Sequence, residues 1–233
     1  MIRNFLFSIF FFLGIILISI LFVPTFFLPS KFVLFGGKIM GYWSAFCLQF
    51  FLSSKIIIKG EENIIKDKKF FIASSHQSMF ETFFLQTIFN APVFILKKEL
   101  LIIPIFGWYL KKIGSISINR NKVTRENLDF FDQISSLVKT SDRPLIIFPQ
   151  GTRVSPEDRS PFKKGAGRIY EELDIPCQPI AINSGNVWPK KGLKKANLNI
   201  IISILKPIEV GLNREDFLKN LEDNIYSELD LIN

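Results

Sequence analysis

Residues Asn4 to Ser30 contain no charged side chain, and within them "FLFSIFFFLGIILISILFVPTFFLP" is apolar almost throughout. A helix rises about 1.5 Å per residue, so a run of this length can enter or cross a hydrocarbon core about 30 Å thick. A cleaved leader would need small residues after a shorter apolar stretch. "LFVPTFFLPSK" offers bulky residues and prolines instead, so a retained membrane segment is expected. Pro24 and Pro29 interrupt the helix, because proline lacks the amide donor and its ring clashes with the preceding turn. Beyond them, "FVLFGGKIMGYWSAFCLQFFLSS" is a second apolar stretch, broken by Lys38 and glycines. The two together permit a helical hairpin in one leaflet as readily as a single span. Thirteen of the 26 phenylalanines fall in the first 52 residues, so the N-terminus differs in kind from the rest of the chain. The expected division is membrane-associated helices over 1–54 and an α/β domain over 55–233.

Charge placement supports that division. No acid precedes Glu61, while Arg3, Lys31, Lys38, Lys55 and Lys59 supply five of the eight net positive charges. A basic collar beside an apolar segment suits an anionic membrane surface. Both flanks are basic, so the direction of insertion stays open. Nucleic acid is the other partner a basic chain suggests. No helix-turn-helix, zinc or RNA-recognition pattern accompanies the charge, and the remaining chain is too nearly neutral for a phosphate-tracking groove. Cys47 and Cys177 lie far apart and there is one histidine, so no disulfide framework or metal site is expected.

From about Lys55, short apolar runs alternate with amphipathic stretches, which predicts an α/β fold with a mixed β-sheet flanked by helices. "KIIIKG", "KKFFIASS", "APVFILKK", "SISINR", "RPLIIFP", "CQPIAIN" and "LNIIISIL" read as strands. "SMFETFFLQTIF", "RENLDFFDQISSLVKT", "GAGRIYEEL" and "REDFLKNLEDNIYSELDLI" read as helices. In the last, Phe217, Leu221, Ile225 and Leu229 form a stripe suited to core packing.

The lone histidine, His76, follows a predicted strand and precedes a predicted helix, where functional side chains are commonly presented. Glu81 is five residues on, about 140° around an ideal helix, so the two would not share a helical face. They meet if His76 precedes the helix and Glu81 lies in its first turn with its carboxylate reaching back. The plain structural alternative is that Ser78 and Glu81 form a capping box, which points the carboxylate the same way. A second cluster, "LIIFPQGTR", runs a strand into Gly151, Thr152 and Arg153, where close backbone approach, donors and a bidentate guanidinium suit a phosphate. An ordinary tight turn with a solvated arginine is the alternative. A third, "FILKKELLIIPIFGWYLKKIGSISINR", interleaves Lys97, Lys98, Lys111, Lys112 and Arg120 with Phe106, Trp108 and Tyr109, a mixture that suits a lipid headgroup interface or a solvated charged face. "IPCQPIAINSGNVWP" is a strand ending in a polar turn.

Taken in order, "SSHQSMFET", "LKKELLIIPIFGWYLKKIGSISINR", "FPQGTR" and "IPCQPIAINSGNVWP" resemble the four motif blocks of the glycerolipid acyltransferase family, most closely the bacterial 1-acyl-sn-glycerol-3-phosphate acyltransferases. The likeness covers about residues 55 to 205. It implies acyl transfer from acyl carrier protein or coenzyme A thioester to the 2-hydroxyl of lysophosphatidate, with no cofactor and with the site facing the cytoplasm at the cytoplasmic membrane. The family's His-x4-acid motif falls on His76 and Glu81, implying His76 as general base and Glu81 as the group that orients it. The phosphate-binding arginine falls on Arg153, preceded by Gly151 and Thr152, and Lys97 and Arg120 are further headgroup candidates. Two residues depart from the pattern: Glu81 stands where aspartate is usual, and Gln150 replaces the glutamate of Phe-Pro-Glu-Gly-Thr-Arg. The same chemistry on another lysophospholipid or a lyso-ornithine lipid fits the blocks, and a non-catalytic anionic-lipid-binding protein is the alternative of a different class. A serine hydrolase lacks its Gly-x-Ser-x-Gly elbow.

Overall fold

A computed structural model describes residues 2–118 and 129–233. Seven strands, β1 (Ile56–Lys59), β2 (Phe71–Ser74), β3 (Val93–Lys97), β4 (Ile116–Ile118), β5 (Leu145–Ile147), β6 (Cys177–Ile182) and β7 (Ile200–Ile204), form one sheet in the order β1-β7-β6-β2-β5-β3-β4. All neighbours are parallel except β6 and β7. All seven runs read from the sequence as strands are strands. β2, β5 and β6 are buried along their whole length, because helices cover both faces, and that is why they read as continuous apolar runs.

Alternate residues feed two cores. Phe71, Ala73, Leu145, Ile147 and Ala181 pack with helices α5 (Asp129–Thr140), α6 (Lys164–Leu173) and α7 (Arg214–Ile232). The expected stripe of α7 lies here: Phe217, Leu221, Ile225 and Leu229 are fully buried. On the other face, Ile72, Ile146, Ile180 and Ile182 pack with helix α3 (Phe80–Ile88) and with both N-terminal helices, α1 (Ile2–Leu21) and α2 (Ser30–Leu52).

The prolines act as the sequence implies. Pro24 begins a 3-10 turn over Val23–Phe27 and Pro29 caps α2, so the chain folds back as a hairpin. Its helices approach closely at Gly14, where an added Cβ would run into the Trp43 indole. Phe7 and Phe11, essentially unexposed, meet Trp188 edge-on at 5.0 and 4.9 Å. Burying each contributes about 1.5–3 kcal/mol to holding α1 against the domain.

Polar contacts hold both ends of the hairpin. Near its start, Arg3 donates to Phe51 O at 2.7 Å and to Ser53 Oγ at 2.6 Å. Asn4 exchanges two hydrogen bonds with the Lys194 backbone, at 2.6 and 2.7 Å. The Lys194 ammonium donates to Ser8 Oγ at 3.1 Å, and burial lowers its pKa. Near the turn, helix α4 (Phe106–Lys112), not foreseen as a helix, donates from Tyr109 Oη to Ser19 O at 2.7 Å and from Lys112 Nζ to Phe26 O at 2.8 Å. Among the described residues α1 is the one helix long and apolar enough to cross a membrane. Its outward face, including Phe5, Ile9, Phe12, Ile16 and Ile20, is exposed, as are Phe35, Phe46 and Phe50 of α2.

Candidate active site

The parallel strands β2, β3, β5 and β6 present their C-terminal ends at one edge of the sheet, the edge where open α/β sheets bind ligands. His76 lies two residues beyond β2, Gln150 to Arg153 follow β5, Ser184 follows β6, and Lys97 closes β3. One edge therefore collects residues more than 100 positions apart.

His76 Nδ1 is 3.2 Å from Glu81 Oε1, and the histidine side chain is 12% exposed while the glutamate is fully buried. Burying a carboxylate is costly unless it is paired and hydrogen-bonded. Glu81 has four partners: besides the imidazole, Oε1 accepts from Gln77 N and Ser78 N at 2.7 Å each, and Oε2 accepts from Ser184 Oγ at 2.8 Å. The orienting and capping readings thus coexist in one carboxylate. The cap is partial, since Ser78 Oγ accepts from Phe80 N at 3.2 Å and not from the amide of Glu81. The imidazole ring stacks on Phe148 at 4.0 Å, which fixes its plane.

The turn after β5 is clamped to His76 on both sides. His76 N donates to Gln150 Oε1 at 2.8 Å, and His76 O accepts from Val154 N at 2.9 Å. Between those bonds lie Gly151, Thr152 and Arg153. Gly151 has φ +72°, a conformation L side chains rarely adopt, which is why glycine stands there. Behind Gln150, burial pushes the Tyr226 phenol up to about 12, so it stays a neutral donor, bonded to Ser160 O at 2.6 Å.

Arg153 is half-buried, and among the described residues its guanidinium has no hydrogen bond or ion pair. It lines a cleft of about 400 Å³ with Thr152, Asp158, Lys190 and Lys191, and His76 and Glu81 do not line that cleft. Lys190 Nζ donates to Thr152 Oγ1 at 3.1 Å and to Arg153 O at 2.9 Å, so a second cation stands over the same turn. Lys97 is exposed and, among the described residues, makes no hydrogen bond to His76, Glu81 or Arg153. Arg120 lies outside the described residues. Among the described residues no group of three or more His, Cys, Asp or Glu side chains could hold a metal.

Sequence reasoning misses Ser184 and Lys190. Ser184 belongs to the fourth block, which looks like a strand and a polar turn, and Lys190 follows it directly; the signal is there in "INSGNVWPK", but only the sheet order shows which strand end it adjoins.

A seven-stranded, mostly parallel α/β sheet with a histidine–carboxylate pair and an arginine-bearing turn at the C-terminal ends of its strands defines an α/β protein with a candidate site at that edge. Residues 55–183, more than half of the chain, match the family model described as Acyltransferase, and the chain belongs to that family. It is 36% identical over 144 residues to the 1-acyl-sn-glycerol-3-phosphate acyltransferase of Pseudomonas aeruginosa, an alignment covering 59% of this chain and 53% of that one. It is 29% identical over 206 residues to the protein of the same name from Saccharomyces cerevisiae, covering 84% and 67%. The chain thus spans about half the length of the Pseudomonas relative. The fold is shared with the crystal structure of the 1-acyl-sn-glycerophosphate acyltransferase PlsC from Thermotoga maritima: TM-score 0.78, 23% identity, and coverage of 99% of this chain and 97% of that one.

Proposed function

We propose that the protein is a membrane-bound 1-acyl-sn-glycerol-3-phosphate acyltransferase, which moves an acyl chain from acyl carrier protein or coenzyme A to the 2-hydroxyl of lysophosphatidate. The relatives of that name support the acceptor and the product, phosphatidate. The observation that carries the reading is the double clamp between His76 and the turn that bears Arg153. It ties a base and a phosphate-binding fork into one unit, as a reaction next to a phosphate requires.

An alcohol near neutral pH is a poor nucleophile until a positioned base takes its proton. With Nδ1 engaged by Glu81, Nε2 of His76 is the nitrogen left for that task. As the acceptor oxygen attacks the thioester carbonyl, its proton passes to Nε2 and Glu81 balances the imidazolium. The tetrahedral intermediate then expels the thiolate, which takes the proton back. Arg153, with Lys190 beside it, holds the acceptor phosphate, and Lys97 and Arg120 are headgroup contacts at the rim. No cofactor enters the reaction.

The hairpin sits in one leaflet of the cytoplasmic membrane with the site facing the cytoplasm. What supports this is that α1 lies along the domain, fastened near its start by Asn4, in its middle by Phe7 and Phe11, and near its end by Ser19. Its outward apolar face is then covered by lipid.

The test is transfer of a labelled acyl chain to lysophosphatidate by purified protein in lipid, with His76→Ala alongside. Wild type should form phosphatidate, and the variant should lose at least about 10²-fold while remaining folded. Activity on another lysolipid alone would change the substrate, and only an acceptor without phosphate would remove the role of Arg153. No thioester consumption with any acceptor would leave a lipid-binding protein.

A further inference from the structure

Glu81 joins two separate parts of the sheet edge. Oε1 serves the loop after β2, while Oε2 is held by Ser184 Oγ, 103 residues away in the turn after β6. That turn is fixed independently of the carboxylate. Asn183 donates from Nδ2 to Ile232 O at 2.6 Å and accepts from Ile201 N at 2.7 Å, which secures it to α7 and β7. Gly185 N donates to Gln77 Oε1 at 3.1 Å. Ser75 Oγ and Ile182 exchange bonds at 2.8 and 3.2 Å, so the loop is matched to the end of β6 on both sides of His76. Ser184 is itself fully buried. A buried hydroxyl with one strong acceptor in reach has a single preferred direction.

We propose that Ser184 is a positioning residue for the His76–Glu81 pair: by holding one carboxylate oxygen it fixes the plane of the carboxylate, and thereby keeps the other oxygen on Nδ1 and leaves Nε2 as the basic nitrogen. The longer acid matters here. Glutamate in place of aspartate has the reach to keep one oxygen at His76 while the other meets the end of β6. Without Ser184, the terminal torsion of Glu81 is broad, and nothing from the β6 side holds the carboxylate plane. The bonds of the carboxylate to backbone amides survive, so the acid stays buried but its aim at the imidazole weakens.

The proposal rests on the reading of His76 as the base, and its test keeps the two apart, because the chain has one histidine. Histidine labelled with ¹⁵N in the ring gives a single imidazole whose tautomer is read directly, with no substrate present. In wild type the Nδ1–H form should predominate, and in Ser184→Ala a measurable share should shift to the Nε2–H form. In the transfer assay, kcat should fall roughly tenfold, with KM for both substrates within about twofold, since the wrong tautomer removes general-base assistance and not binding. Should Ser184→Ala fail to fold, Ser184→Cys replaces it, its thiol being a weak donor of similar size. An unchanged tautomer ratio in a folded variant overturns the proposal, as does an unchanged kcat. A wild type inactive on every acceptor would sink the functional reading, while the tautomer ratio would still decide whether Ser184 aims the pair.

Discussion

Gln150 stands where the family pattern has a glutamate, and its contact explains why either residue serves. What the site takes from this position is an acceptor oxygen for His76 N, at 2.8 Å, and not a charge. Gln150→Met keeps the length and loses the acceptor, leaving a buried amide unpaired. It should cost about 1–3 kcal/mol in denaturant unfolding, and transfer activity should fall with it because His76 sits on the freed amide. Unchanged stability would show that another acceptor takes over. The His76–Glu81 pairing was legible in the sequence because His76 precedes a helix start and Glu81 lies in its first turn, from which the carboxylate reaches back. Ser184 and Lys190 were not legible as site residues: each meets its partner across roughly 40 to 100 residues, and only strand order places them.

The hairpin of α1 and α2 has two apolar faces with different partners. One completes the core around Ile72, Ile146 and Ile180; the other, with Phe12 and Phe46, is bare protein surface. Phe11→Ala, on the inner face, should therefore destabilise the whole domain by about 3–5 kcal/mol, read by denaturant unfolding in micelles. A loss below about 1 kcal/mol would mean that the hairpin is only loosely attached. Uniform hydrophobicity hid this division from sequence reading, since a lipid-facing and a core-facing phenylalanine look alike. The central strands β2, β5 and β6 were legible because burial on both faces gives unbroken apolar runs. Helix α4 was not, because two turns preceded by Pro104 show no period, and its Trp108, 56% exposed, read as an interfacial aromatic.

Taken whole, the molecule offers a membrane both a basic collar and a broad apolar face, and these respond differently to salt. Raising salt from about 0.1 to 1 M shortens the screening length from about 10 Å to 3 Å and silences exposed charges. Binding to anionic vesicles should persist through that range, with less than about half of the bound protein released, because the apolar face does most of the holding. Release of nearly all of it would make the collar the anchor and return the hairpin to a minor role. The clamp between Asn4 and Lys194 bears on something else, the order of assembly. Helix α1 emerges from the ribosome about 190 residues before the loop that fastens it, so Phe7 and Phe11 have α2 and Phe83 as early neighbours but lack Trp188 until most of the chain is made. An apolar helix kept waiting in water invites aggregation. In the seating proposed above, the bilayer surface gives it somewhere to wait, and the lipid that covers its outward face in the finished protein would serve first as a holding surface for folding.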